Sequence, residues 1–186
     1  MKLGPRAKLL ILMGLFAAPI VASLLAYNFM DIRPSANYGE LIVPPAQVTP
    51  QRFTRPDGSE FTFTQLAGRW VLVVSDSGAC GAPCEGKLAS LRQARLALGR
   101  NASRVERVFV VDDGQEPAPA RLEPFEGTIV AVAAAADPSR PGAGNDRSHI
   151  YLVDPHGNVM MRWPEAPDGR RMVKDLERLL KASQIG

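Results

Sequence analysis

The sequence has few of the residues that build metal centres and disulfide frameworks. Its 186 residues include only two cysteines and two histidines. Two cysteines exclude a scaffold stapled by several disulfides and a four-thiolate zinc site, and two histidines exclude most multi-histidine metal sites. Hydrophobic residues make up 46% of the chain and charged residues 22%. This composition is typical of one globular domain with a sizeable core.

An excess of one charge is also lacking over most of the chain. Lys2, Arg6 and Lys8 precede Asp31, the first acidic residue, and the rest of the chain has equal numbers of basic and acidic residues. A nucleic-acid-binding surface needs lysine and arginine clustered in the folded part of a protein. The sequence therefore predicts no nucleic-acid partner.

An uncharged apolar run of 21 residues, from 9 to 29, follows a basic tip at 1–8. At about 1.5 Å per residue, a helix of this length crosses a hydrocarbon layer of about 30 Å. The positive-inside rule then predicts a single-pass inner-membrane anchor with the C-terminal domain in the periplasm. A cleaved signal peptide is the alternative, although its apolar region is normally shorter. Both interpretations place the domain in an oxidising compartment.

The remainder divides into a linker and a domain. Residues 30–56 carry five prolines and are predicted to form an extended linker, or an arm lying on the domain. The domain is then expected to cover residues 57–186.

The domain shows an α/β pattern. Continuous apolar runs at 70–74 and 105–111 predict buried strands, and the segment between them has helical spacing. Strand–helix–strand implies parallel neighbours with a right-handed crossover. A hairpin at 149–163 adds antiparallel strands, and an amphipathic helix at 172–181 closes the chain. The predicted fold class is therefore α/β, with a mixed sheet flanked by helices.

Both cysteines, Cys80 and Cys84, lie where a buried strand turns into a helix. Residues four apart in a helix have Cα atoms about 6 Å apart, within the range of a disulfide. Cys80, at the helix start, is expected to be the more exposed thiol and to have a lowered pKa. The pair could form an exchangeable disulfide, supply two soft ligands to Cu(I), or form a structural disulfide. A disulfide that closes so short a loop adds only about 2 kcal/mol of stability, which favours a redox or metal-binding role of the pair over a purely structural one.

The order of strand, Cys-x-x-x-Cys, helix and tyrosine-bearing strand followed by Asp-Pro-x-Gly resembles the Sco/SenC proteins. These are membrane-anchored, thioredoxin-fold factors of cytochrome c oxidase assembly. Residues 68–73 and 151–157 match best. The resemblance implies a thioredoxin-like fold and assigns Cys80 and Cys84 as the paired thiols.

The family also supplies one distant histidine to copper, for which His149 is the candidate. The family histidine lies about five positions before the strand tyrosine, whereas His149 is only two before Tyr151. Gly81 replaces the proline that usually follows the first cysteine, and Ser148 stands where redox-type thioredoxin folds have a cis-proline.

The sequence therefore predicts an exported, membrane-anchored thiol–disulfide or copper-handling factor of respiratory cytochrome oxidase assembly. Cys80 and Cys84 are the expected catalytic thiols and, with His149, the expected Cu(I) ligands. The expected partner is a respiratory oxidase subunit or another assembly factor, and an enzymatic activity would be that of a thiol–disulfide oxidoreductase. The alternative is a non-catalytic interaction module whose Cys80–Cys84 disulfide is structural.

Overall fold

A computed structural model describes residues 4–29, 37–48, 51–133, 147–183 and 185. The chain divides into two compact units between Ala36 and Asn37. The helices are α1 (Pro5–Phe29), α2 (Ala82–Ala97), α3 (Pro119–Leu122) and α4 (Gly169–Ala182). The strands are β1 (Glu40–Gln47), β2 (Phe53–Thr54), β3 (Glu60–Phe61), β4 (Trp70–Asp76), β5 (Val105–Val111), β6 (Ile129–Ala133), β7 (His149–Val153) and β8 (Asn158–Pro164).

The first unit contains α1, which comprises the uncharged run at 9–29 and residues 5–8 of the predicted basic tip. Its apolar side chains are exposed, and Pro5–Leu25 is long and apolar enough to cross a membrane. Pro19 lies inside the helix, which is tolerated in membrane-spanning helices. Because exposed apolar side chains require apolar surroundings, α1 is a candidate membrane span, as predicted. Residues 1–3 of the predicted tip lie outside the described residues.

Within the described part of the second unit, eight strands form one sheet in the order β1-β8-β7-β4-β5-β6-β2-β3. β4, β5 and β6 are parallel, and α2 provides the crossover from β4 to β5. β7 pairs antiparallel with β4, and β8 is its hairpin partner. The predicted α/β class, with a mixed sheet and flanking helices, is confirmed.

Part of the segment predicted as a linker or an arm lies in the second compact unit, which begins at Asn37. β1 pairs antiparallel with β8 and forms one edge of the sheet. The linker interpretation rested on prolines, but Pro44 and Pro45 lie where the β1–β8 register shifts. Proline lacks only an N–H donor, and an edge strand can do without one. Residues 30–36, 49 and 50 of this predicted segment lie outside the described residues.

Each face of the sheet carries its own hydrophobic core. The core of the helical face combines strand residues with side chains of α2 and α4, including Leu88 and Leu176. The opposite face carries a second cluster, which includes Phe61. Successive strand residues point to alternate faces. In β7, Ile150 and Leu152 therefore join the helical face, and the two residues that alternate with them join the opposite face.

Candidate functional site

The cysteine turn, residues 77–81, joins the end of β4 to the first turn of α2. Cys84 is the third residue of α2, whereas Cys80 precedes Gly81, the N-cap. Cys80 has a φ of 38°, in the left-handed region that non-glycine residues rarely adopt. Cys80 therefore lies just before α2, whereas Cys84 lies within its first turn. A helix beginning at Ala82 places Pro83 within its first two positions, where the missing N–H leaves no helical bond unmade.

Cys80 and Cys84 form a disulfide, with sulfurs 2.01 Å apart and Cα atoms 5.1 Å apart. Each residue is only 1% exposed, and both belong to the core of the helical face. The expected difference in exposure between the two is therefore absent. Because the sulfurs are bonded to each other, both lie at the N-terminal end of α2, where the helix dipole favours negative charge.

Small side chains form the surface around the disulfide. Ala79, Gly81, Ala82 and Pro83 are exposed and uncharged. Beyond these residues, Arg121 pairs with Glu85 at 2.9 Å. The Arg121 guanidinium also donates to the carbonyl oxygen of Cys80 at 3.0 Å, which fixes the left-handed peptide.

Asp113 holds the cysteine turn from the end of β5. Its carboxylate accepts hydrogen bonds from Ser77 Oγ at 2.5 Å, Gly78 N at 3.1 Å and Gln115 N at 3.0 Å. Burial acts to raise the pKa of Asp113, but these hydrogen bonds outweigh it and the pKa is lowered. Because the pKa of Asp113 is lower in the folded protein than in the unfolded chain, the ionised carboxylate stabilises the folded state at pH values above about 4, the ordinary aspartate pKa. This contribution is lost as the pH falls through the lowered pKa of the folded state.

Replacing Gly78 with alanine is expected to destabilise the domain by about 1–3 kcal/mol. A Cβ at Gly78 would lie 1.8 Å from the carbonyl oxygen of Gln115, so the backbone must move. Gly81→Ala is the matched control, because its Cβ would meet nothing closer than Pro83 Cδ at 3.9 Å. Urea denaturation should show a change within about 0.5 kcal/mol for the control. Equal effects of the two substitutions would contradict the close packing at Gly78.

A fully buried lysine connects α2 to the strand before the cysteines. Lys87 is 0% exposed, and its Nζ lies 2.7 Å from Asp76 Oδ2 and 3.1 Å from the carbonyl oxygen of Ser75. It also donates to the carbonyl oxygen of Arg147. Asp76 additionally accepts a hydrogen bond from Ser77 N at 2.8 Å. Sequence reasoning missed Lys87, although its place three residues after Cys84 puts it on the buried side of α2.

A second buried carboxylate extends this charge network. Asp112 is 3% exposed and accepts hydrogen bonds from Ser75 Oγ and Arg147 Nε, both at 3.0 Å. The hydrogen bond to Asp112 is the main reason that the pKa of Arg147 is raised. The network therefore ties the carboxyl ends of β4 and β5 to the residues that lead into β7.

The structure does not bring His149 to the cysteines. His149 alternates with Ile150 and so lies on the face of Tyr151, opposite the face that contains the disulfide. Its Nδ1 lies 3.2 Å from Ser148 Oγ, and its ring centroid lies 6.1 Å from that of Tyr151. No group of three or more His, Cys, Asp or Glu side chains able to hold a metal occurs in the described part of the chain.

A family model described as the transmembrane-like, thioredoxin-like, C-terminal domain matches residues 70–183. The chain belongs to this family. The matched segment starts with β4 and contains both cysteines, the buried lysine and α4. The predicted thioredoxin-like fold is thereby confirmed. No protein in the curated collection matches the chain.

Solved structures of Sco proteins share the fold of this family member. Apo Sco1 from Thermus thermophilus is 20% identical, with 77% of this chain and 96% of that chain covered, and a TM-score of 0.61. Yeast Sco1 with copper bound is 17% identical, with coverages of 75% and 95% and a TM-score of 0.63. BsSco, described as a Sco-family cytochrome c oxidase assembly protein with a disulfide switch, is 15% identical, with coverages of 77% and 99% and a TM-score of 0.57. The predicted likeness to Sco proteins is confirmed for the fold.

Proposed function

We propose that this protein is a membrane-anchored thiol–disulfide exchange factor that acts through Cys80 and Cys84. The observation that best supports this proposal is a disulfide between residues only four apart in the sequence, the first of which, Cys80, has a φ of 38°. Closing so short a loop contributes about 2 kcal/mol. Holding a non-glycine residue in the left-handed region costs about 1–2 kcal/mol. Because these terms nearly cancel, the bond adds little net stability, which favours exchange over a structural role.

The exchange has two steps that balance in sulfur and electrons. In the reduced protein, the Cys80 thiolate attacks one sulfur of a partner disulfide, forming a mixed disulfide and releasing one partner thiolate. The Cys84 thiolate then attacks the Cys80 sulfur, restores the Cys80–Cys84 disulfide and releases the second partner thiolate. Two electrons pass to the partner, and the reverse sequence oxidises a partner dithiol. The N-terminus of α2 favours both thiolates.

The proposed setting is the periplasmic face of the inner membrane, with α1 as an uncleaved anchor. Lys2, Arg6 and Lys8 before the uncharged run at 9–29, and Asp31 after it, support this orientation. The proposed partner is a respiratory oxidase subunit or another factor of its assembly. This assignment is supported by a fold shared with BsSco, which is described as a member of a family of cytochrome c oxidase assembly proteins.

Copper handling is the second candidate function, favoured by a fold shared with yeast Sco1, which was solved with copper bound. Reduced Cys80 and Cys84 would supply two soft sulfur ligands, which suit Cu(I). His149 lies on the opposite face of the sheet, so its role as a ligand stays a prediction. If the two thiolates suffice, His149→Ala should weaken Cu(I) binding only modestly, whereas Cys80→Ser or Cys84→Ser should abolish it.

Single cysteine substitutions test the proposed exchange roles. With a disulfide-containing partner, Cys84→Ser should accumulate a mixed disulfide through Cys80, because no second thiol is present to resolve it. Cys80→Ser should accumulate none. Non-reducing electrophoresis and mass spectrometry measure both, with Ala82→Ser as a control in the same surface. Trapping through Cys84 instead would reverse the assigned roles.

The reduction potential separates exchange from a structural role. Equilibration with glutathione should give a value above about −300 mV for an exchangeable pair. A value well below this, together with intact oxidase assembly in cells carrying both Cys→Ser substitutions, would show that the disulfide is structural.

A further inference from the structure

The exposed face of α4 is strongly basic. Met172, Leu176 and Leu180 bury the other face against the sheet. The solvent-facing positions of this helix carry one acidic residue, Glu177, and five basic residues. These basic residues, called the basic strip, are Arg170, Arg171, Lys174, Arg178 and Lys181. They recur at the spacing that places side chains on one side of a helix.

The segment that leads from the anchor into the domain packs along this helix. The Arg171 guanidinium lies 4.2 Å from the ring centroid of Tyr38, and Arg178 Nη1 donates to Asn37 Oδ1 at 3.0 Å. Two members of the basic strip are therefore engaged at one edge. The other three have no ion-pair partner among the residues that the structure describes. A cluster of cations without counter-charges favours an anionic ligand.

The second unit begins beside α4, where Asn37 and Tyr38 contact Arg178 and Arg171. Only seven residues, 30–36, separate Phe29 from Asn37 in the sequence, and a chain of that length spans at most about 29 Å in any conformation. The membrane proposed to hold α1 is therefore linked by a short covalent connection to the segment that packs along α4. Each lysine or arginine near an anionic leaflet strengthens binding by a factor of about five. We propose that the basic strip of α4 binds the anionic phospholipid headgroups of the membrane that holds α1.

Lysine labelling in the full chain tests this proposal. The sequence has five lysines, of which Lys174 and Lys181 lie in the basic strip and Lys87 is fully buried. The protein is placed in nanodiscs of phosphatidylcholine alone, or with about a quarter phosphatidylglycerol, and acylated with an amine-reactive reagent. Mass spectrometry should show that Lys174 and Lys181 react about fivefold more slowly in the anionic discs. High salt should remove the difference, because screening weakens headgroup attraction.

Charge variants and a reporter lysine provide the controls. Arg170→Glu should reduce the protection of Lys174 in anionic discs, and Glu177→Gln should increase it. Arg52→Lys adds a reporter where the native side chain is 81% exposed, next to β2 and far along the sheet from β1, and this lysine should react equally in both discs. Equal reactivity of Lys174 in the two discs would overturn the proposal. Protection that persists in high salt, or that extends equally to the reporter, would overturn it as well.

Discussion

Replacing Lys87 with alanine is expected to destabilise the domain by about 3–5 kcal/mol, because it leaves the largely buried Asp76 carboxylate with only the more distant Arg147, 3.8 Å away, as a counter-charge. Lys87 is 0% exposed and pairs with Asp76 at 2.7 Å. Its loss also removes the donor to the Ser75 carbonyl. Urea denaturation of residues 37–186 with the disulfide intact measures the change.

A paired substitution separates the charge from the volume of the lysine. Lys87→Met keeps most of the apolar stem, so combining it with Asp76→Asn should recover much of the loss, since no unpaired charge remains. If Lys87→Ala cost no more than a surface substitution, roughly 0.5 kcal/mol, water would be replacing the lysine and the burial argument would fail.

Replacing Asp175 with alanine is expected to cost about 3–5 kcal/mol and to free residues 37–39 from α4. The Asp175 carboxylate is 3% exposed and accepts hydrogen bonds from Tyr38 N at 2.9 Å, Gly39 N at 2.8 Å and Trp163 Nε1 at 3.2 Å. All three are charge-assisted, and removing the carboxylate leaves buried donors without an acceptor. Thermal or urea unfolding measures the loss of stability.

Hydrogen exchange distinguishes this local effect from general destabilisation. In Asp175→Ala, the amides of Tyr38 and Gly39 should lose protection before those of the central strands β4 and β5. Glu177→Ala lies on the exposed face of the same helix and should change stability by less than about 0.5 kcal/mol. Uniform loss of protection across the sheet would contradict the proposal that Asp175 holds residues 37–39 locally.

The sequence by itself determined the features that depend on short-range patterns. The uncharged run at 9–29 is long enough to form a membrane-spanning helix whatever the rest of the chain does. A separation of four residues brings Cys80 and Cys84 within bonding distance in a helix or a tight turn, and the sequence predicts the start of a helix there. The apolar runs of β4 and β5 and the turn between β7 and β8 were likewise readable, because strand burial and hairpin turns leave local signals.

Only the tertiary structure decided which of these residues share a site. His149 lies two residues before Tyr151, but the pairing of β7 with its neighbours sets the face it occupies, and a register one residue different would reverse it. The role of Asp175 depends on Tyr38, 137 positions away in the sequence. From the sequence, Lys87 would be expected to lie on the surface, as most lysines do. Only the packing of α2 on the sheet removes its ammonium group from water. The geometry of short segments depends on neighbouring residues, whereas the burial of a charge depends on contacts between segments that are distant in the sequence.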